Sequence, residues 1–372
     1  MRLETGDARV RGRETRDMRR EGLSLASCVF LSCLLSLVSR PLFALALPPQ
    51  FADGAVFAKN EPIRVFGTAS APVKVTLGDR TVTAKPGEDG AFLAELPALP
   101  AGGPYELVVE SGGTKKTLSD VRIGTVVMIA GQSNAAFSLG ESSTPKESWT
   151  NDPLVRTFWT PCVGRGRHLP KEGWIPLTVE DAGKWSAIGY HVALELRRRT
   201  GEAVGIVNCF QGASVIQAWL PVEIADAEKY KLPDEELFRD HFEKGYAHFN
   251  VHGILYKTSF RSFAPYALTH VVWYQGESNT GKGEPKIYAQ LVAELVRCWR
   301  RDLSQPKLPF TVVQIADTRK SEGWLGIQAA QMKVPELVEG VKVVRSGDVC
   351  EKKGIHPPTK DALSRRIAEG IR

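Results

Sequence analysis

Two patterns of apolar and polar positions divide the chain. From Leu47 to Ser119 short runs alternate, as in Ile63-Arg64-Val65-Phe66 and Val73-Lys74-Val75-Thr76-Leu77. Turn-forming clusters separate them, among them Pro86-Gly87-Glu88-Asp89-Gly90 and Pro100-Ala101-Gly102-Gly103-Pro104. A period of two, punctuated by Gly and Pro, predicts strands with one buried face, hence a small antiparallel β-sandwich domain over residues 47–120. Beyond about Asp120 the runs become continuously apolar, as in Val126-Val127-Met128-Ile129-Ala130 and Val271-Val272-Trp273-Tyr274. Helical stretches lie between them: His191 to Thr200 ended by Gly201, then about Lys286 to Arg301, Gly326 to Lys333 and Thr359 to Ile371. Strands buried on both faces and alternating with helices predict an α/β domain over residues 121–372, with a parallel sheet between helical layers. Residues 222–250, charged and aromatic-rich, are expected to form a surface subregion over the site. The chain shows no internal repeat or low-complexity tract.

The amino terminus follows neither pattern. An arginine-rich stretch, an apolar stretch from about Leu23 to Val38, and Ala44-Leu45-Ala46 as an Ala-x-Ala site predict a signal peptide over residues 1–46. Export, to a secreted or periplasmic location, follows as an expectation. Met18-Arg19-Arg20 would make a more typical start, and Leu25-Ala26-Ser27-Cys28 is a weak lipoprotein box. Arg40 and Pro41 interrupt an apolar run already short for a membrane span. The 372 residues, 43% of them hydrophobic, supply a sizeable core. The formal charge of +6 is partly terminal, because residues 1–46 carry eight arginines against five acids. Nothing in that balance points to nucleic acid. Of six cysteines, Cys162, Cys209, Cys298 and Cys350 follow the cleavage site, at spacings that suit neither a disulfide scaffold nor a metal centre. Buried free thiols are the expectation, and no cofactor or metal is called for.

Chemistry is expected where the apolar strands end, since reacting groups in parallel sheets collect beyond the strands' carboxyl ends. One strand ends in Gly131-Gln132-Ser133-Asn134, a second in Gln211-Gly212-Ala213-Ser214, and a third in Gln275-Gly276-Glu277-Ser278-Asn279. A serine hydroxyl becomes a nucleophile only with a histidine base, a group that orients the histidine, and donors for the developing oxyanion. Ser133 is the candidate nucleophile. His356 is the candidate base, on a short loop that also carries Asp348 and Glu351. The turn at Ser133 lacks Gly-x-Ser-x-Gly, which argues against an α/β-hydrolase elbow. The other histidines, His168, His191, His241, His248, His252 and His270, are expected at the surface or in packing. His248 and His252 share i, i+4 spacing without the His-Glu-x-x-His pattern of a zinc site.

These residues together resemble the sialate O-acetylesterase family, a branch of the SGNH hydrolases. Its Gly-Gln-Ser-Asn block is matched by Gly131 to Asn134, its Trp-Tyr-Gln-Gly-Glu-Ser block by Trp273 to Ser278, and its last block by Asp348 with Ile355-His356-Pro357. Similarity extends through Phe51-Ala52-Asp53-Gly54, Gly102-Gly103-Pro104-Tyr105, Trp185 to Tyr190 and Leu308-Pro309-Phe310, so that residues 47 to 372 are covered. Gly212-Ala213-Ser214 departs from the two glycines and Thr of the family's second block, Gln217 stands where a Glu is common, and Lys353 occupies the place three before the histidine where many SGNH enzymes keep the acid.

The resemblance implies an SGNH-type three-layer α/β/α fold with a β-sandwich appendage, and hydrolysis of O-acetyl groups on a sugar or glycan by a Ser-His-Asp acyl-enzyme mechanism. Asp348 is then the triad acid, with Glu351 next and a serine–histidine dyad as the third possibility. The oxyanion would be held by the N–H groups of Ser133 and Gly212 and the side-chain amide of Gln275, with Asn279 as alternative. Glu277 would orient neighbours or pair with an arginine. Trp174, Trp185, Trp219, Trp273 and Tyr274 could stack on sugar, although large aromatics are more often core or interface residues and only one or two are expected in the pocket; Arg165-Gly166-Arg167-His168 could meet an acidic sugar's carboxylate, against the plainer reading of a solvated loop. Acetylxylan or another polysaccharide is the alternative substrate. A non-catalytic carbohydrate-binding protein is the alternative of another class.

Overall fold

A computed structural model describes residues 44–162, 173–238 and 245–371. The expected signal peptide as far as residue 43, Arg165 to His168, and His241 lie outside the described residues.

The centre of the fold is a sheet in the order β13-β12-β11-β7-β10-β8-β9. Its strands are β7 (Thr114–Gly131), β8 (Asp152–Trp159), β9 (Ile175–Leu177), β10 (Val204–Phe210), β11 (His270–Tyr274), β12 (Phe310–Val313) and β13 (Val341–Val344). All neighbours run parallel except β9 against β8. The second half of β7 explains the sheet's burial on both sides. Val126, Met128 and Ala130 point into one apolar cluster with the helices Pro285–Asp302 and Glu322–Leu337. Val127 and Ile129 point into another, with the helices Ala187–Thr200 and Asp361–Glu369. A strand covered on both faces has no use for polar positions, hence the unbroken apolar run. The helices match their expected positions; three run longer than expected, whereas the last, Asp361–Glu369, is shorter than the expected Thr359 to Ile371. Ala187–Thr200, for example, starts at the Ser186 side chain, which accepts from Gly189 N at 3.1 Å, and stops at Gly201 with φ of +69°.

The first half of β7 belongs to a different neighbourhood. It pairs antiparallel with β6 (Gly102–Ser111), which pairs with β3 (Val73–Leu77), which pairs with β4 (Arg80–Ala84). A separate antiparallel pair, β2 (Ile63–Thr68) with β5 (Ala91–Leu96), contributes Val65, Ala94 and Leu96 to the same core as Val75 and Val109. The expected boundary at 120 therefore falls within one continuous strand. Ala46, the last residue of the Ala-x-Ala site, is bonded to Thr68 in both directions, at 2.9 and 3.0 Å. Further polar ties join the two regions: Arg64 donates to Leu303 O at 3.0 Å, Tyr266 Oη to Val56 O at 2.8 Å, and Arg156 to Asp120 at 2.5 Å.

Residues 222–250 form short single turns, Val222–Ala225, Glu228–Tyr230, Asp234–Glu236 and Ala247–Phe249, among their described residues. Phe238, Tyr246, His248 and Phe249 of this stretch line the principal cavity. No helix among the described residues is long and apolar enough to cross a membrane. The four cysteines Cys162, Cys209, Cys298 and Cys350 carry free thiols; Cys209 and Cys298 are buried, whereas Cys162 is exposed.

Candidate functional site

Strand register brings the predicted blocks together. Gly131 is the partner of Phe210 on one side and of Tyr274 on the other, so β7, β10 and β11 end level with one another. The turn that follows is tied to both neighbours, Gln132 N to Tyr274 O at 3.0 Å and Gln211 N to Gly131 O at 3.0 Å. The Gln132 side chain then accepts from Gly276 N at 3.3 Å and Ser278 N at 3.2 Å. Ser133 opens a single helical turn, Ser133–Ala136, above these strand ends.

His356 reaches Ser133 from the loop after β13, with Nε2 2.7 Å from Oγ. Its ring stacks on Phe137 at 5.9 Å between centroids and 30° between planes. Burial, and then the Lys360 ammonium, lower the pKa of His356 from its usual value, against an upward pull from Glu141. The neutral ring is favoured, and its Nε2 lone pair is the natural acceptor of the Ser133 hydroxyl proton. Ser133 and His356 lie in the wall of a cavity of about 990 Å³, together with Gly212 and Glu277. Gly212 lies close beside the serine, since a Cβ built on it would be 3.8 Å from Ser133 Cβ.

Other predicted residues are not brought to this pair. Asp348 makes a two-point ion pair with Arg366, at 2.7 and 2.8 Å, with its side chain 65% exposed. That guanidinium holds its pKa down to about 2. Glu351 accepts from the backbone N and the hydroxyl of Thr359. Burial opposes its ionisation, but these hydrogen bonds prevail and leave its pKa below the usual value. Neither carboxylate is hydrogen-bonded to His356 among the described residues. Asp348→Asn is accordingly expected to keep kcat on an acetyl ester within about threefold, as for an exposed ion pair. A fall of about 10⁴ would place Asp348 on the imidazole during turnover.

Gln275 and Asn279 face inward. The Gln275 amide spends both N–H groups, on Ser214 O at 3.0 Å and Asn279 Oδ1 at 2.8 Å, and accepts from Tyr288 Oη at 2.8 Å. Asn279 donates to Gln217 at 3.0 Å and Glu284 at 2.9 Å and accepts from Ile216 N at 2.9 Å. Buried amides must satisfy all their hydrogen-bonding groups, and these two do so by tying the second block to the third. They have no N–H left to aim at an oxyanion. Glu277 is buried, accepts from Asn134 Nδ2 at 2.6 Å, and has its pKa raised chiefly by that burial.

The aromatic candidates are core residues. Trp174, Trp185, Trp219, Trp273 and Tyr274 are all buried and none lines the cavity; Trp159, Phe210, Phe238, Tyr246 and Phe249 do. His248 also lines it, with Nδ1 3.2 Å from Gly245 O, whereas His252 pairs with Asp226 at 2.6 Å. His191 and His270 are packing residues that burial keeps neutral, at about 4 and about 3.

Lys360 escaped the sequence reading. It lies 1% exposed beside the site, and its signal was the helix period: Leu363, Ser364, Ile367 and Ala368 form the buried face of Asp361–Glu369, and position 360 continues that stripe backwards.

Comparison with known proteins places this geometry among relatives. Residues 124–369 match the family model of carbohydrate esterases described as sialic acid-specific acetylesterase. The sialate O-acetylesterase of Mus musculus is 23% identical over 395 residues, covering 87% of this chain and 72% of its own. That of Homo sapiens is 23% identical over 358 residues, covering 82% and 66%. Among solved structures, a carbohydrate acetylesterase from Xanthomonas citri superposes with a TM-score of 0.75 at 29% identity, covering 87% of this chain and 74% of that one.

Proposed function

Because this chain belongs to the sialic acid-specific acetylesterase family of carbohydrate esterases, and is thereby a carboxylic ester hydrolase, we propose that it removes O-acetyl groups from sugars through an acyl-enzyme on Ser133, with O-acetylated sialic acid as its favoured substrate. The observation that carries the reading is the 2.7 Å contact between Ser133 Oγ and His356 Nε2 in the wall of the cavity.

The chemistry follows from that contact. His356 takes the Oγ proton as Ser133 attacks the acetyl carbonyl, and the tetrahedral oxyanion is met by the N–H groups of Ser133 and Gly212. Collapse breaks the bond to the sugar oxygen, which leaves with the proton from His356. Water, deprotonated by the same imidazole, then releases acetate and restores the serine. In this scheme Ser133 and His356 work as a dyad, with Asp348 and Glu351 committed to Arg366 and Thr359.

Two further parts of the proposal rest on sequence and topology. Residues 1–46 as a signal peptide make the enzyme a secreted or periplasmic one. Residues 47–120 form its β-sandwich appendage, a reading supported by the two antiparallel groups of strands that share one core.

Acetylated polysaccharide is the competing substrate, since the aromatic residues of the cavity wall suit any sugar face. Acetate release from O-acetylated sialic acid and from acetylated xylan, measured side by side, separates the two. The proposal expects kcat/KM on the sialic acid to exceed that on xylan by at least about tenfold. Activity on xylan alone would replace the sialate reading, and activity on neither would remove sugar deacetylation altogether.

A further inference from the structure

Next to the Ser133 and His356 pair lies a buried cation that the mechanism above leaves unused. Lys360 is 1% exposed. Its ammonium donates to Asn134 Oδ1 at 2.8 Å and sits over the rings of Phe137 and Tyr274, 5.1 and 5.7 Å from their centroids. An ammonium only donates, so it fixes the orientation of the Asn134 amide. The amide's Nδ2 must then face acceptors, and it does: Glu277 Oε1 at 2.6 Å and Ile355 O at 2.9 Å.

The positions of these partners matter. Asn134 follows Ser133, Ile355 precedes His356, and Phe137 is the ring stacked on His356. Lys360 therefore reaches the imidazole by two routes. One runs through the Asn134 amide to the peptide that carries His356, and the other through the aromatic ring that supports its face. A buried cation held between an amide and two aromatic faces costs desolvation, visible in a pKa lowered to about 8. Such a cost at a surface-capable side chain calls for a role.

We propose that Lys360 is a positioning residue for His356, fixing the imidazole against Ser133 through Asn134 and Phe137. Its kinetic test rests on the esterase reading; its spectroscopic test does not. The charged groups that bear on His356 are Lys360, which disfavours the imidazolium, and Glu141, which favours it. Glu277 is reached through Asn134, while Asp348 and Glu351 are held by Arg366 and Thr359. Removing the lysine's charge thus moves the histidine's titration upward.

The experiment compares full-length wild type, Lys360→Met and Lys360→Arg. It reads kcat and KM for p-nitrophenyl acetate from acidic to alkaline pH, circular dichroism, and the NMR titration of the His356 ring, assigned by its loss in His356→Gln. Lys360→Met is expected to lower kcat by about 10²-fold with KM within about threefold, the effect of a misplaced reacting group. The His356 midpoint should rise by about half a pH unit. Lys360→Arg, which keeps the charge, the donors and the aromatic contact, should recover at least about tenfold of the lost kcat. If Lys360→Met does not fold, Asn134→Ala severs the bridge without removing the cation and should show the same kcat loss at unchanged KM. A folded Lys360→Met with wild-type kcat, or one whose kcat falls while the His356 midpoint stays fixed, overturns the proposal. Full activity in Asn134→Ala also does so. Should wild type hydrolyse no acetyl ester, the esterase reading falls, and with it the kinetic test, while the His356 midpoint still shows whether the Lys360 charge bears on the imidazole.

Discussion

Ser133→Ala is expected to lower kcat for p-nitrophenyl acetate by about 10⁴ to 10⁶, the range for removing a serine nucleophile from a unit that works together. The hydroxyl's recorded hydrogen bond is the one to His356, so its loss leaves the turn, the strands and the cavity in place. KM should change little, and the residual rate reflects whatever the N–H groups of Ser133 and Gly212 still contribute. A fluorophosphonate probe gives an independent readout: wild type is expected to be labelled at Ser133, and the alanine variant not at all. Wild-type turnover in the variant would remove Ser133 from the chemistry. A folded wild type that takes no label would instead favour a carbohydrate-binding protein built on an esterase scaffold.

Gly131→Ala is expected to be nearly as damaging to turnover while leaving every proposed catalytic atom chemically intact. Gly131 has φ of +130°, a conformation that side chains other than hydrogen rarely adopt, and a Cβ there would sit 2.1 Å from Tyr274 O. The overlap is with the backbone of the neighbouring strand, so no side-chain rotation relieves it. Either β11 moves away or the Gln132 and Ser133 turn does, and the contact with His356 goes with it. We expect a stability loss of about 4 kcal/mol, read from chemical denaturation, and a further fall in kcat of about 10²-fold in whatever fraction stays folded. Gly212→Ala is the contrast. Its Cβ would meet only Ser133 Cβ at the ordinary distance of 3.8 Å, so it should fold as wild type does. A Gly131→Ala variant with wild-type stability would show that the two strand ends are not in the close contact described.

The sequence and structure agree best where the information is local or periodic. Continuous apolar runs marked β7, β10 and β11, since a strand covered on both faces accepts little else, and the turns at their ends hold Ser133, Gly212 and the third block. His356 was legible through its motif and is found against Ser133. Direction was not legible. Gln275 and Glu277 are two apart on one turn, yet the first amide points into a polar network while the second residue reaches the cavity wall. Nor did loop length reveal that Arg366, on the last helix, would capture Asp348 at the surface. For the aromatic candidates the commoner reading, burial in the core, holds at all five, and the one or two expected in the pocket are not among them. The apolar character that made Trp273 and Tyr274 conspicuous is what their burial between sheet and helices demands, whereas Phe210 and Phe249 stand out less in sequence and line the cavity.

The 18 residues of β7 run from the antiparallel strands to the turn that bears Ser133, with a break in the β6 register beside Asp120, whose φ is +52°. One strand thus serves as a shared beam, pairing with β6 in its first half and with β10 and β11 in its second. Cutting the gene at codon 120 would saw through the beam's middle and strip β6 from its near half. The antiparallel strands and the turn of Ser133 are therefore parts of one covalent element, so a cut there severs both at once.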